Sequence, residues 1–146
     1  MNRVQKRKRS ERGVTLIEML VVVTIIALFA ALVAPRMMGR ADAAKRTAAR
    51  AQINSFMTAL GAYKLDTGRY PLTEAGLQAL RTRPENEPQW AGPYLPRDIP
   101  MDPWKHAYIY KYPGDHGDDP DIISLGADGN PGGTGNDADI QSWSNQ

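Results

Sequence analysis

A single carboxylate lies within the longest apolar run of the sequence, where a charge needs a chemical reason. Val14 to Ala34 form 21 residues in which Glu18 is the one charged side chain. An unpaired carboxylate inside a lipid bilayer is costly, so such a residue is a candidate functional site. The run supplies no cation, but a cut after Gly13 would create one, the α-amino group of Val14. Glu18 is therefore a candidate functional residue, and such a cut would give its charge a partner.

A second candidate site is the segment from Leu125 to Asp139, here named the C-terminal loop, in which carboxylates and amides are interspersed with glycines. Hard cations such as calcium bind roughly six to eight oxygens from carboxylates, amides and backbone carbonyls. The loop does not have the spacing of an EF-hand, because no Glu closes it. Asp, Asn and Gly are also the usual residues of solvent-exposed turns. From the residues alone, a calcium-binding loop and a plain turn both stay open.

No arrangement of residues indicates catalysis. His106 and His116 stand ten residues apart in turn-like segments, where a histidine is usually an ordinary surface residue. Ser124 and Ser142 lack the G-x-S-x-G context of a nucleophilic serine. The glycines of the C-terminal loop follow a predicted strand, but no helix opens after them, so the sequence has no nucleotide-binding fingerprint. The sequence therefore predicts a protein that is not an enzyme and has no catalytic residue.

The apolar run that carries Glu18 is long enough to cross a membrane. At about 1.5 Å per residue, a helix of this length spans roughly 32 Å, which matches a bilayer core. Residues 1–13 hold six basic residues and Glu11, a net charge of +5, so the total of +2 leaves −3 on the rest of the chain. A basic flank beside a membrane span stays in the cytoplasm. The sequence therefore predicts a single-pass protein with its C-terminal part beyond the membrane, and no partner among nucleic acids.

Two simpler interpretations of the N-terminus explain less. A secretory signal peptide has an apolar core of about 7–15 residues before its cut, and this run is longer. A cut after Ala34 would also leave Leu32 at the minus-three position and Pro35 just after the bond, and both residues are unfavourable there. A plain signal anchor explains the length and the basic flank, but it leaves Glu18 without a role.

A second helical segment is predicted to follow the apolar run. Pro35 removes a backbone donor, so we expect a kink or local melting near it. Beyond it, apolar residues recur at helical spacing and predict one stripe that faces a core: Ala49, Ile53, Phe56, Leu60 and Tyr63. The helix is predicted to end at Asp66 to Gly68, with Gly68 as a left-handed cap.

The middle of the chain is predicted to be a short helix followed by a packed loop. Thr73 is predicted to cap a helix from Glu74 to Leu80. Prolines exclude regular structure from residue 82 to residue 103. Three large side chains are predicted to anchor this loop: Trp90, Tyr94 and Leu95.

The end of the chain is predicted to form a small antiparallel sheet. Residues 107–112 and 122–125 are rich in β-branched and aromatic side chains and predict two strands, with a further short pairing at 140–143. The chain has no cysteine, so no disulfide can stabilise this small domain. The predicted fold class is α+β: a long N-terminal helix, with a membrane half and an amphipathic half, packed on a small antiparallel sheet.

The N-terminus resembles the class III signal of type IV pilins and of type II secretion pseudopilins. The shared features are a short Lys/Arg leader, Gly13 at the cut, an apolar helix, Glu18 as the fifth mature residue and Pro35 as the twenty-second. Val14 departs from the Phe that usually comes first. Later blocks are similar to those of the major pseudopilin family of type II secretion: YKLDTGRYP, TEAGLQAL, DPWKHAYIY, SLGADGNPGG and DADIQSW. Type IV pilins tend to carry a C-terminal disulfide loop, which a chain without cysteine cannot form.

This resemblance implies a set of site residues. A prepilin peptidase would cut between Gly13 and Val14 and methylate the new amino group, while Glu18 and Pro35 would belong to the assembly helix. The family binds calcium in its C-terminal loop. The matching oxygens here are the backbone carbonyls of Leu125 and Asn130 and the side chains of Asp128, Asn136, Asp137 and Asp139. The chain departs from the family at Gly135, where relatives often have Asp, and at residues 105–107 of the DPWKHAYIY block.

The resemblance also implies the organisation and the role of the chain. Residues 1–13 would be a cytoplasmic leader that is removed, 14–35 a transmembrane and assembly helix, 36–68 an amphipathic helix and 69–146 a periplasmic globular domain. Anchored in the bacterial inner membrane, the mature chain would polymerise into a periplasmic pseudopilus that drives export of folded proteins across the outer membrane. Its partners would be further copies of itself, prepilin peptidase, minor pseudopilins and the inner-membrane secretion platform. The alternatives are a type IV pilin or minor pseudopilin subunit, and a monomeric membrane-anchored calcium-binding module.

Overall fold

The structure, a computed structural model, describes residues 14–144 of the 146-residue chain, without the side chains of residues 34–38. One long helix, α1, is followed within this range by three short strands: α1 (Leu16–Thr67), β1 (Ile109–Lys111), β2 (Asp121–Ser124) and β3 (Ile140–Gln141). A 3₁₀ turn at Leu77–Leu80 precedes β1, and another at Gly135–Asp137 precedes β3. The chain divides between Gly39 and Arg40 into two compact units. The predicted α+β class is confirmed.

The first unit contains the apolar start of α1. Leu16–Val33 is exposed throughout, and it is the one candidate membrane span in the part of the chain that the structure describes. An apolar surface of this size needs lipid or other protein around it. Of the expected kink or local melting near Pro35, the melting is not observed, because α1 continues through this position without a break; the kink stays a prediction. A proline removes one backbone donor, and the turns on either side can carry the helix past it.

The second unit is built on the amphipathic half of α1. The predicted stripe is buried in full, and each member exposes at most 1% of its surface: Ala49, Ile53, Phe56, Leu60 and Tyr63. It belongs to one core with buried side chains from the rest of the unit, among them Tyr70, Leu77, Leu80, Leu95, Tyr110, Ile122 and Ile140. The helical spacing of the apolar residues therefore predicted the core-facing side of α1 correctly.

The C-terminal end of α1 also lies where the sequence predicts it. The last helical residue is Thr67, and Gly68 follows with a φ of 81°, in the left-handed region. The N–H of Gly68 donates to the carbonyl of Lys64 at 2.8 Å. This bond satisfies one of the carbonyls that a helix end leaves open, and a residue without Cβ takes the required φ most easily.

The three strands form one antiparallel sheet in the order β1–β2–β3. Tyr110 pairs with Ile122, and Ser124 pairs with Ile140. The three hydrophobic members of these pairs are buried in the core. The predicted antiparallel pairing is confirmed, although β1 and β3 are shorter than predicted and β2, which has the predicted length, begins one residue earlier. Because β2 is central and ends at Ser124, it fixes where the C-terminal loop begins.

The sequence predicted a short helix from Glu74 to Leu80 with Thr73 as its cap, and both the predicted start and the predicted cap are wrong. Regular structure is limited to the 3₁₀ turn Leu77–Leu80, which Gly76 precedes with a φ of 58°. Thr73 instead bridges to the end of β1. Its Oγ donates to the carbonyl of Tyr112 and accepts the N–H of the same residue, each at 2.9 Å. A threonine hydroxyl that is committed to a strand cannot cap a helix, so the tertiary contact replaces the local one.

The proline-rich loop is anchored by the three predicted side chains. Leu95 is buried, and Trp90 and Tyr94 are partly buried against the core. The indole N–H of Trp90 donates to the carbonyl of Ala79 at 2.7 Å, and the Tyr94 hydroxyl donates to Asp66 at 2.8 Å. Both large rings thus bury their apolar parts and satisfy their polar atoms.

Lys105 has a backbone conformation that suits glycine better than lysine. Its φ is 74°, which places a Cβ in the left-handed region. We expect Lys105→Gly to raise the free energy of unfolding by about 0.5–1 kcal/mol, because relief of this strain exceeds the larger loss of chain entropy that glycine brings. Chemical denaturation measures the change. Lys105→Ala is the matched control: it removes the amine but keeps the Cβ, so an equal gain from it would contradict a backbone origin.

Candidate functional sites in the N-terminal helix and the C-terminal loop

The first turn of α1 is arranged around Thr15 and Glu18. The hydroxyl of Thr15 accepts the N–H of Glu18 at 3.3 Å, just before the helix begins at Leu16. A threonine followed by a glutamate three residues later has the spacing of a capping box, in which the pair satisfies the open N–H groups of a helix start. The sequence contains this pattern, and our sequence analysis missed it. Glu18 therefore has a helix-starting role beside any role in assembly.

The charge of Glu18 finds no partner among the described residues. Its side chain is exposed, and none of the ion pairs within residues 14–144 includes it. Val14 is exposed as well. Gly13 lies outside the described residues, and so does the side chain of Pro35. The predicted pairing of Glu18 with a new α-amino group stays a prediction.

The C-terminal loop is wound tightly enough that two of its glycines have no room for a side chain. A Cβ on Gly126 would lie 2.9 Å from the carbonyl oxygen of Asn136, and one on Gly133 would lie 2.5 Å from that of Asp137. Both glycines also have positive φ, 67° and 80°. The N–H of Ala127 donates to the carbonyl of Asn136 at 3.0 Å, which holds the two ends of the loop together. The glycines therefore serve a compact loop and not a loose one.

The predicted calcium ligands differ in their hydrogen bonds and in their exposure. Asp128 accepts the N–H of Asn130 at 3.1 Å, and the side-chain nitrogen of Asn130 donates back to the carbonyl of Asp128 at 3.1 Å. Asp137 is exposed in the 3₁₀ turn, and Leu125 is partly buried just after β2. Within residues 14–144, no three side chains of His, Cys, Asp or Glu lie together as a metal-holding group. A cation here would need backbone carbonyls as well as carboxylates.

Asp139 supplies the observation that favours a cation. Its Oδ2 accepts the N–H of Gly132 at 3.0 Å, while its Oδ1 is buried and accepts no hydrogen bond from any described residue. A buried carboxylate oxygen without a partner is costly, and a hard cation is one group that would satisfy it. The loop offers only oxygen ligands, which is the donor chemistry that calcium prefers. The residues present therefore fit a calcium ion in donor type.

A buried carboxylate supports the start of the loop from outside. Asp102 accepts the hydroxyl of Ser124 at 2.6 Å and the backbone N–H of His106 at 2.8 Å. The Nδ1 atom of His106 lies 3.1 Å from the carbonyl of Gly126, inside the loop. A turn around residue 105 thus joins the end of β2 to the first residues of the loop. This support was not predicted, because the sequence does not reveal that Asp102 is buried.

The second histidine ties the end of the chain to the sheet. The ring of His116 stacks on Trp143 with 3.7 Å between centroids and planes 7° apart. Its Nδ1 lies 2.8 Å from Oδ2 of Asp121, which also accepts the N–H of Asp115 at 2.8 Å. Both histidines therefore have structural contacts.

The carboxylate of Asp115 also contacts β1. Lys111 donates to Asp115, and this hydrogen bond holds the pKa of Asp115 below its ordinary value.

The pKa values of three tyrosine side chains in the second unit are raised above the ordinary value for tyrosine. Burial is the main cause that raises the pKa of Tyr63, Tyr70 and Tyr108 to about 12, and the nearby charges of Glu87, Asp119 and Asp102 act in the same direction. Tyr63 donates to Glu87 at 3.3 Å and Tyr70 donates to Asp119 at 2.8 Å. These phenols therefore stay protonated, and those of Tyr63 and Tyr70 act as hydrogen-bond donors in the second unit.

Two family profiles match the sequence of this chain, one at its N-terminus and one over the rest. The profile described as "Prokaryotic N-terminal methylation motif" matches residues 8–34, and that described as "Type II secretion system (T2SS), protein G" matches residues 36–143. Type II secretion system core protein G of Pseudomonas aeruginosa is 46% identical over 142 residues, 95% of this chain and 99% of the relative. The Vibrio cholerae protein of the same name is 43% identical over 144 residues, 97% of each chain.

A solved structure agrees with these sequence matches. The crystal structure of the major pseudopilin from the type 2 secretion system of enterohaemorrhagic Escherichia coli has a TM-score of 0.61 and 36% identity to this chain, and covers 75% of it and 95% of that chain. The interpretation as a structural subunit of type II secretion is thereby confirmed over a type IV pilin or minor pseudopilin. The chain belongs to the protein G family of type II secretion systems, the family of the major pseudopilins.

Proposed function

We propose that the mature chain is anchored by α1 and polymerises through it into a periplasmic pseudopilus. The proposal is carried by the exposed apolar window Leu16–Val33, which a soluble monomer cannot leave uncovered. Lipid would cover this window before assembly, and the same window of neighbouring copies would cover it afterwards. Growth of such a filament from the membrane would drive export of folded proteins across the outer membrane.

The N-terminus is processed before assembly under this proposal. The methylation motif at residues 8–34 supports a cut between Gly13 and Val14 by prepilin peptidase, followed by methylation of the new amino group. The positive leader supports an orientation with residues 1–13 in the cytoplasm and the second unit in the periplasm. The remaining partners are minor pseudopilins and the inner-membrane secretion platform.

A calcium ion in the C-terminal loop is the second part of the proposal. Its support is the buried, unpaired Oδ1 of Asp139 within a loop of oxygen ligands. The other predicted ligands are the carbonyls of Leu125 and Asn130 and the side chains of Asp128, Asn136 and Asp137. The ion would supply a charge that ties the end of the chain to β2, in a unit that has no disulfide.

A monomeric membrane-anchored calcium-binding module is the alternative that keeps the metal but not the filament. It shares the anchor and the loop with the proposed function. It gives Glu18 no partner, whereas a filament supplies the α-amino group of an adjacent copy. Electron microscopy of cells that overproduce the chain separates the two, because only the filament subunit yields helical fibres.

Processing can be tested at the cut itself. A glycine before the bond leaves room for the chain in a peptidase cleft at the membrane surface. We expect Gly13→Leu to block maturation, so that the full-length precursor accumulates in the membrane. Mass spectrometry of the parent chain should show the loss of residues 1–13 and the gain of one methyl group on Val14.

Gly39→Leu is the matched control for this experiment. It introduces the same side chain into α1 at a position with open space around it, so insertion and cleavage should stay normal. A Gly13→Leu chain that is shortened like the parent would place the cut elsewhere and remove the assignment of the leader.

A further inference from the structure

Helix α1 holds the C-terminal loop through one arginine. Arg46 Nη1 donates to the carbonyl of Gly135 at 2.8 Å and to the carbonyl of Ala138 at 2.9 Å, 89 and 92 residues further along the chain. Both bonds have a charged donor, which makes them stronger than bonds between neutral groups, and the planar guanidinium fixes their direction. Two carbonyls held in this way fix the stretch of backbone that carries Asp137 and leads into Asp139.

A second contact joins the same face of α1 to the same stretch. Asn136 Nδ2 donates to Asp42 Oδ2 at 2.6 Å. Asp42 and Arg46 are four residues apart in the helix, so their side chains lie next to each other. A carboxylate can only accept hydrogen bonds, so Asp42 holds the nitrogen of Asn136 and leaves the amide oxygen for another donor or for a cation.

The guanidinium of Arg46 forms no ion pair with the described carboxylates of the C-terminal loop. Arg46 binds backbone carbonyls, and no ion pair within residues 14–144 includes it. A bidentate pair with Asp137 or Asp139 would have neutralised a candidate ligand. Instead, Oδ1 of Asp139 stays buried and unpaired a single residue after one of the carbonyls that Arg46 holds.

We infer that Arg46 and Asp42 are positioning residues for a cation site in the C-terminal loop. Under this inference α1, and not the loop alone, sets the path of residues 135–138 and so the placement of the oxygens around them. The inference rests on the calcium site proposed above for its metal part. Its structural part, a latch between α1 and residues 135–138, holds with or without the ion.

Calcium affinity is the readout that a purely structural contact would leave unchanged. We expect Arg46→Ala in the full mature chain, in detergent micelles, to raise the calcium Kd at least about tenfold, because two charge-assisted bonds are lost. Arg46→Lys keeps the positive charge but loses the planar guanidinium, so its Kd should lie between those of the parent and of Arg46→Ala. Asp42→Ala should raise the Kd by about threefold. Isothermal titration of the chelated protein with calcium chloride gives all four constants.

Arg50→Ala is the matched control, because Arg50 lies one turn further along α1 and makes no hydrogen bond to residues 125–139 in the described structure. Its Kd should equal that of the parent. An Arg46→Ala chain that binds calcium as tightly as the parent would overturn the positioning role.

Hydrogen exchange in chelator tests the latch without the metal. The amides of Ala127 and Asp139 donate within the loop, to Asn136 and Gly132. We expect them to exchange at least about tenfold faster in Arg46→Ala than in the parent and in Arg50→Ala, because residues 135–138, which carry the acceptor Asn136 and lead directly into Asp139, are released. If the parent takes up no calcium, the proposed metal site fails, and exchange alone decides on the latch. Equal exchange in Arg46→Ala and the parent would overturn the latch itself.

Discussion

Glu18→Leu is expected to assemble poorly into filaments while membrane insertion and cleavage of the leader continue. In the proposed filament, the carboxylate of Glu18 neutralises the α-amino group of Val14 in an adjacent copy, inside an apolar helix bundle. Removal of one partner leaves the other charge buried and unpaired, which costs about 3–5 kcal/mol. A loss of this size at every subunit contact is repeated along the fibre. Electron microscopy and sedimentation of sheared filaments measure assembly, and the mobility of the chain on a gel measures cleavage.

Two control variants separate the charge of Glu18 from its place in the first turn of α1. The Thr15 hydroxyl accepts the N–H of Glu18, so part of any effect could come from a lost helix cap. Glu18→Gln keeps a capping-box residue and removes only the charge, so it should assemble as poorly as the leucine variant. Thr15→Ala removes the cap, costs about 1 kcal/mol and should still assemble. Normal filaments from Glu18→Gln would rule out the charge pair.

The sequence was most informative where one physical pattern dominated. The apolar stripe of α1 faces the core because helical spacing and burial select the same positions, from Ala49 to Tyr63. Gly68 ends the helix because few residues other than glycine take its φ of 81° easily. The strands were predicted from β-branched and aromatic residues, but the lengths of β1 and β3 were not, since pairing partners and not propensity decide where a ladder stops.

The sequence was least informative where a side chain acts across a long separation. Thr73 looked like a helix cap, yet it bonds the end of β1, 39 residues away. Asp102 is buried against Ser124 and Arg46 reaches the C-terminal loop, and no sequence pattern predicted either contact. Local patterns cannot identify such partners, because the fold alone brings them together. The ligands of the loop were likewise inferred from a resemblance, and Asp139 alone shows a structural reason for a cation.

Removal of calcium is expected to lower the melting temperature of the full mature chain in detergent micelles by roughly 10 °C. An ion that binds only the folded state stabilises it by about 2.7 kcal/mol at a hundredfold excess over the Kd. In a domain of about 100 residues, each kcal/mol shifts the melting temperature by roughly 4 °C. Calcium should restore the loss better than magnesium, which requires a smaller and more regular octahedral site. Asp128→Ala should remove the difference between chelator and calcium.

Asp139→Asn distinguishes a calcium site from a simple turn, because the two predict different orders of the melting temperatures of variant and parent. In chelator, the variant should be at least as stable as the parent, because a neutral amide replaces a carboxylate whose Oδ1 is buried without a partner. In calcium, it should be less stable than the parent, because an amide is a weaker ligand than a carboxylate. The order of the two melting temperatures therefore reverses when the ion is added. If the aspartates of the loop only form turns, the two proteins will keep the same order in both buffers, and the parent will melt identically with and without chelator.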